Sequence, residues 1–308
     1  MKEFEHISVL LNECIEGLDI KKDGIYVDGT LGGAGHTLKI AQKLNNTGNI
    51  IGIDRDIDAI NKAKETLKDY TNVIYVQDNH DNIKGILSKL NIDKVDGILL
   101  DLGVSSYQID EETRGFSYMA DSPLDMRMDK GQELTAKKVV NTYSEEKLAD
   151  IIYKYGEEKF SRQIARKICE YRNIKEIETT KELVEIIEKS VPRQNQGHPA
   201  KRTFQAIRIE VNNEIEPLYN TIANAIDVLK PKGRLCVITF HSLEDRAVKQ
   251  AYKDYEGKCT CPTDFPYCVC GNKPKGRVIT KKPILPTEEE MEKNSRSRSA
   301  KLRIFEKI

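Results

Sequence analysis

The chain lacks any apolar run long enough to cross a bilayer, which excludes a helical membrane protein. Its opening residues, Met1-Lys2-Glu3-Phe4-Glu5-His6, lack the charged-then-apolar plan of a secretory signal, so a cytoplasmic location is expected. Net charge is missing too: 49 Lys and Arg balance 49 Asp and Glu. Overall charge therefore predicts no polyanionic partner, and any nucleic-acid binding must come from local basic patches. No internal repeat or low-complexity tract is evident. What remains is a 308-residue chain, long enough for two domains with cores of their own. Its seven cysteines are expected to be thiols or metal ligands before disulfides.

Hydrophobic patterning gives an alternation of strands and helices. Val9, Leu10, Cys14, Ile15 and Leu18 lie at helical spacing. Strands follow at Ile25–Asp28, Asn49–Asp54, Val73–Gln77 and Val95–Asp101, separated by helices at Thr37–Leu44, Asp56–Leu67 and Asn82–Leu90. Such alternation predicts a parallel sheet covered on both faces. It stops after Asp101. Helices are then predicted at Ser144–Tyr155, Lys159–Tyr171 and Thr180–Ser190, with Ser144 and Thr180 as N-caps and Pro192 as a stop. The α/β pattern resumes with a long helix at Asn213–Leu229, a strand at Arg234–Phe240, a helix from Ser242 to Tyr252 and a last strand at Ser299–Glu306. The expected fold is an α/β, doubly wound, Rossmann-like sheet interrupted by a helical insert. The expected division is 1–106 with 203–308 for the sheet domain and 107–202 for the insert.

One loop carries the first chemical signal. Asp28-Gly29-Thr30-Leu31-Gly32-Gly33-Ala34-Gly35-His36-Thr37 joins the first strand to a helix, and Asp54 ends the second strand. Glycines let the backbone approach a ligand, and a strand-end carboxylate accepts from ribose hydroxyls, so the pair is suited to adenosine. The nicotinamide fingerprint is absent: Gly33-x-Gly35 would need Gly or Ala at position 38, where Leu38 stands. Glycines crowded just after Asp28 instead resemble the first motif of S-adenosylmethionine-dependent methyltransferases. Asp101 ends the fourth strand, at the edge where open α/β sheets hold ligands.

Other absences narrow the reaction. None of the cysteines lies near Asp101 in sequence, against the covalent route to a pyrimidine C5. An exocyclic amine is a poor nucleophile and needs acceptors on its N–H groups, which Asp101 and nearby carbonyls can supply. The Asp/Asn-Pro-Pro-aromatic tetrad of many amine methyltransferases is missing, since the chain reads Asp101-Leu102-Gly103-Val104. His241-Ser242-Leu243-Glu244-Asp245-Arg246 invites a hydrolytic reading, but its residues are sequential and no nucleophile elbow is present. His241 is expected to shape the pocket or hold substrate.

Three charged segments stand out in the neutral chain. Asp121–Asp129, with Arg127, mixes charge with apolar anchors; composition favours a loop docked by its own salt bridges, but its position leaving the active edge favours substrate contact. His198, Lys201, Arg202, Phe204 and Arg208 can bind phosphate and stack on a base, or form one solvated helix face. Arg296–Arg303 is the third. Two C-x-C pairs, Cys259-Thr260-Cys261 and Cys268-Val269-Cys270, can place four thiolates around a structural Zn²⁺, although this spacing is tighter than usual.

Taken together, these motifs resemble the bacterial RsmH (MraW) ribosomal RNA methyltransferases nearly end to end. The resemblance rests on Asp28–Gly32, Asp101–Ser106, Arg114–Ser117, Pro123–Arg127, Arg202–Arg208 and Phe240–Arg246. It implies a class I methyltransferase sheet and methylation of a cytidine N4 in small-subunit ribosomal RNA at the decoding centre. It also implies S-adenosylmethionine contacts from Gly33, Ala34, Gly35, His36, Asp54, His80, Asp101 and Gln108, with Asp101 catalytic. The insert would help recognise RNA, with Arg127, His198, Lys201, Arg202, Arg208, His241 and Arg246 as the expected RNA-binding residues. Ser8 stands where the family commonly has Pro, and His80 where an aromatic commonly packs on the adenine. Two other readings are a methyltransferase for a protein or small molecule, and a non-enzymatic ribosome-assembly factor that keeps the cofactor fold. Lys201 and Arg202 argue against the first, and the Asp54–Asp101 pair against the second.

Overall fold

A computed structural model describes residues 8–192, 197–257, 261, 265–267, 269–271 and 273–308. The first unit takes the described residues up to Gly103 and Ile215–Ile308. Its elements begin α1 (Leu11–Leu18), β1 (Ile25–Asp28), α2 (Gly35–Leu44), β2 (Asn49–Asp54), α3 (Ile57–Thr66), β3 (Val73–Gln77), α4 (Ile83–Lys89) and β4 (Val95–Asp101). The second unit, Val104–Glu214, holds α5 (Ser106–Asp110), α6 (Ala136–Thr142), α7 (Glu145–Gly156), α8 (Ser161–Arg172), α9 (Thr180–Ser190) and α10 (Lys201–Asn212). The first unit then closes with α11 (Leu218–Val228), β5 (Leu229–Thr239), α12 (Ser242–Tyr255), β6 (Gly276–Val278), α13 (Glu288–Lys293) and β7 (Lys301–Lys307).

The strands form one sheet in the order β3-β2-β1-β4-β5-β7-β6. β1 to β5 run parallel, and β7 runs antiparallel between β5 and β6. The order reverses between β1 and β4, which makes the carboxyl ends of those strands the ligand crevice of a doubly wound sheet. Side chains alternate between two cores, as a strand period of two requires. Ile98, Leu100, Leu235 and Val237 pack with residues of α4, α11 and α12. Leu99, Cys236 and Ile238 pack with residues of α1 and α2 on the other face. Burial on both faces explains why these strands read as unbroken apolar runs. Among the described residues no helix is long and apolar enough to cross a membrane.

Three sequence expectations change. The predicted helix Asn213–Leu229 does not exist as one element. Asn213 turns left-handed (φ 48°) and ends α10, and Pro217 caps the separate α11. The insert accordingly ends at Glu214 rather than 202, because α10 packs on α7 and belongs to the second unit. The cap of α9 is Thr179, not Thr180: its hydroxyl accepts from Glu182 N–H while Glu182 reaches back to the Thr179 N–H. Ser144 caps α7 as expected.

Candidate cofactor and active site

The loop after β1 folds around its own acid. Asp28 is buried; its carboxylate accepts from Thr30 N–H at 3.1 Å and from Thr37 Oγ1 at 2.6 Å. Burial nevertheless raises its pKa, against these hydrogen bonds. Two glycines are required here by close approach. A Cβ on Gly29 would lie 2.5 Å from Leu100 Cδ2 and 3.2 Å from His80 Cβ, and one on Gly35 would collide with Ser8 Oγ. Ala34 caps α2 in the left-handed region (φ 64°).

Asp54 closes over the same loop. Its oxygens accept from Gly32 N–H and Asp56 N–H, each at 2.9 Å. Burial pushes its pKa up to about 6, against those two donors. His80 opens the turn after β3, close to Gly29. Burial lowers its pKa to about 4, with Asp81, 3.7 Å from Nε2, opposing.

Asp101 ends β4 at the switch point. Its N–H donates to Thr30 Oγ1 at 2.7 Å, tying the strand end to the glycine loop. His36 Nε2 lies 3.0 Å from the Val9 carbonyl, and its Nδ1 faces Asp101 Oδ2 at 3.9 Å. Because a carbonyl only accepts, Nε2 is the donor to Val9. Asp101 Oδ1 is buried without a hydrogen-bond partner among the described residues. Burial holds the Asp101 carboxyl well above its usual range, and Asp28 and Glu244 push it further. A buried acceptor without a donor costs about 1–3 kcal/mol, so this oxygen is placed for a donor that the described residues do not supply.

Beyond β5, His241 caps α12. Its Nδ1 accepts from Glu244 N–H at 3.5 Å, and Glu244 Oε2 accepts from Phe240 N–H at 2.7 Å. Sequence reasoning missed Glu244, although an acid three residues after a strand-end polar residue is the pattern of a capping box. Asp245 is bound by Arg303 Nε at 2.6 Å, so part of the third charged segment locks β7 to α12. Arg246 is exposed.

In the second unit the predicted residues separate into two kinds. Arg127 forms a two-point pair with Asp125 (2.8 and 2.9 Å) and donates to the Lys130 and Gln132 carbonyls. Arg208 forms another with Glu214 (2.9 and 2.8 Å). Both brace the unit internally. Asn212, unremarked in the sequence, joins α10 to the 126–128 segment: it donates to the Met126 carbonyl and accepts from Met128 N–H, each at 2.8 Å. Lys201 and Arg202, by contrast, are exposed, and Arg202 donates to the Glu157 carbonyl at 3.2 Å. His198 stacks on Tyr118 with centroids 4.7 Å apart, and Phe204 meets Tyr118 edge-on at 5.8 Å. The Gln108 side chain completes a capping box with Ser105 at the start of α5.

Of the four cysteines, Cys259 and Cys268 lie outside the described residues. Cys261 Sγ accepts from Val269 N–H at 3.2 Å. Among the described residues no three metal-ligating side chains converge.

The model of the MraW methylase family matches residues 3–308. Ribosomal RNA small subunit methyltransferase H of Clostridium botulinum (strain Kyoto / Type A2) is 61% identical over 308 residues, covering 99% of this chain and 100% of that protein. The protein of that name from Lachnospira eligens is 58% identical, covering 99% and 98%. Ribosomal RNA small subunit methyltransferase H 2 of Agathobacter rectalis is 57% identical, covering 99% of each. With a match across nearly the whole sequence and a glycine loop, Asp54 and Asp101 gathered at one sheet edge, the chain belongs to the MraW methylase family.

Proposed function

We propose that the protein is an S-adenosylmethionine-dependent methyltransferase that methylates the N4 amine of a cytidine in small-subunit ribosomal RNA, in the decoding-centre region, and that it works in the cytoplasm. The observation that carries the mechanism is the unpartnered Asp101 Oδ1 at the switch point. The residues fit the cofactor: Asp54 is a strand-end acceptor for ribose hydroxyls, the Gly33–His36 backbone opens α2, and His80 offers a ring at the adenine position. Gln108 belongs to the same reading. S-adenosylmethionine supplies an activated methyl group and its own leaving group, so alignment and proton handling are left to the protein.

Asp101 performs the second task. In its ionised form Oδ1 accepts an N–H of the target amine, which returns lone-pair density to the nitrogen, and takes the proton that the amine loses on methylation. Its neighbour His36 turns Nδ1 toward Oδ2 at 3.9 Å. Lys201, Arg202 and the Tyr118–His198 stack supply phosphate and base contacts, and His241 and Arg246 line the β5 edge. The internal engagement of Arg127 and Arg208 makes them supports of that surface. The two C-x-C pairs would hold a structural Zn²⁺ on Cys259, Cys261, Cys268 and Cys270; the amide donated to Cys261 Sγ is the kind of second contact a thiolate ligand keeps. Stoichiometric zinc in the purified protein tests that assignment.

Methylation of isolated small subunits with labelled cofactor, comparing wild type with Asp101→Ala, tests the reading. A variant as fast as wild type removes Asp101 from the mechanism. Unchanged cytidine N4 methylation in cells lacking the protein would overturn the substrate.

A further inference from the structure

Methyl transfer leaves one group of lysines in the first unit unused. Lys94 immediately precedes β4, Lys84 lies in the first turn of α4, Lys275 precedes β6 and Lys307 ends β7. All four converge on the last turn of α11. Lys84 Nζ is 2.9 Å from Asp227 Oδ2, and Lys275 Nζ is 3.2 Å from Asp227 Oδ1. Lys94 Nζ donates to the Asp227 carbonyl at 2.5 Å, and Lys307 Nζ to the Ile226 carbonyl at 3.0 Å.

Part of this is helix capping, since ammonium groups suit the carbonyl end of a helix. The charge, however, is not matched. Four cations face one carboxylate and a helix end worth about −0.5, which leaves about +2.5. Lys307 registers the excess: its pKa is lowered by burial and, against Asp227, by Lys94, Lys275 and Lys84. Lys84, Lys94 and Lys275 are exposed.

Its place in the fold separates it from the reaction. Lys94 stands at the start of β4 and Asp101 at the end, about 20 Å apart at strand rise. β7 runs antiparallel with Glu306 opposite Arg234, so Lys307 also stands where the parallel strands begin. We propose that this cluster is a second contact for the phosphodiester backbone of small-subunit ribosomal RNA, at the sheet edge opposite the active one. Ammonium groups recognise phosphate as point charges without reading sequence, so the cluster adds affinity and orientation but no base specificity. The inference rests on the reading of that RNA as substrate.

The test compares three variants of the full chain: Lys84→Gln/Lys94→Gln/Lys275→Gln, the charge-matched control Lys62→Gln/Lys64→Gln/Lys68→Gln on and just after α3, and Asp227→Asn. Binding to unmethylated small subunits is measured across a salt series, with cofactor calorimetry and melting as checks on folding. The first variant is expected to bind at least about tenfold more weakly at physiological salt, with a slope of log K against log salt shallower by about 2–3, or about 1 per lysine. Its cofactor affinity stays at the wild-type value. The control keeps the wild-type slope, and Asp227→Asn binds more tightly. Wild-type behaviour of the first variant, or an equal loss in the control, overturns the proposal while the substrate reading stands. Should the first variant not fold, unchanged or weaker binding by Asp227→Asn overturns it. A wild type that neither binds nor methylates small subunits overturns both readings.

Discussion

The loop after β1 and the 112–132 segment of the second unit are made from similar materials. Each combines acids and tight turns with a non-glycine residue in the left-handed region, Ala34 (φ 64°) in one and Met126 (φ 59°) in the other. They treat their polar groups differently. In the second unit the opposite charges meet: Asp125 with Arg127, Arg208 with Glu214, and buried Arg114 Nη2 with the Arg127 and Met128 carbonyls. At the strand-end edge, Asp28, Asp54 and Asp101 gather, and burial raises the pKa of all three, with Arg55 opposing at Asp54. Matched charge in the second unit specifies a shape, whereas buried carboxyls crowded at the strand ends are a free-energy cost that a bound cation or N–H donor can offset. An arginine in a two-point pair is therefore a poor candidate ligand, however suggestive its sequence neighbourhood.

The largest effect expected to test this contrast is on Asp101. Asp101→Asn should slow single-turnover methylation of small subunits by about 10²-fold or more, since general acid–base groups contribute about that much. It should also raise the melting temperature of the ligand-free protein, because a buried carboxyl beside Asp28 and Glu244 becomes neutral. A lower melting temperature would show that Asp101 braces the fold. The opposite pattern is expected of Arg208→Ala. Breaking its pair with Glu214 should cost about 3 kcal/mol of stability, read by denaturant unfolding, with cofactor affinity retained. Retained stability with weakened RNA binding would return Arg208 to the ligand list.

A smaller, pH-dependent effect distinguishes the two cofactor acids. Ribose hydroxyls need Asp54 ionised, and its pKa is raised to about 6. Affinity for both S-adenosylmethionine and its demethylated thioether product should therefore fall as pH drops below about 6, at most about tenfold per unit. Asp101 should add a dependence at higher pH for the sulfonium alone, because only a cation favours its ionised form; calorimetry at several pH values reads both. The sign for stability is reversed. A carboxyl raised in the folded state favours folding most below its unfolded value of 3.8, and that contribution is lost as pH rises through about 6. Ligand-free Asp54→Asn should therefore lose this component of the melting profile. The smallest effect is at His241: replacing this cap with alanine should cost about 1 kcal/mol in thermal unfolding. An unchanged melting temperature with lost substrate binding would make it a ligand instead.

Much of this was legible in the sequence because it is local. The strands up to Asp101, the glycine loop, Asp54 and the Ser144 cap depend on neighbours within a few residues, where periodicity and turn chemistry act. The break at Asn213 was harder, because apolar spacing continues across it while one left-handed residue redirects the chain. The Asp125–Arg127 pair was within local reach, and composition favoured it, but position at the active edge outweighed it. Other features had no local trace. Nothing near Asp101 in sequence shows that Oδ1 lacks a donor, because the absence depends on what β1, α2 and α12 bring around it. Likewise the Asn212 clasp spans to Met126, and four lysines from across the first unit meet at the last turn of α11. The amino-acid sequence by itself determined the parallel strands, the glycine loop and the acids at the strand ends. Only the tertiary structure decided which charges are paired and which are left for a ligand, because pairing is settled by contacts between segments far apart in the chain.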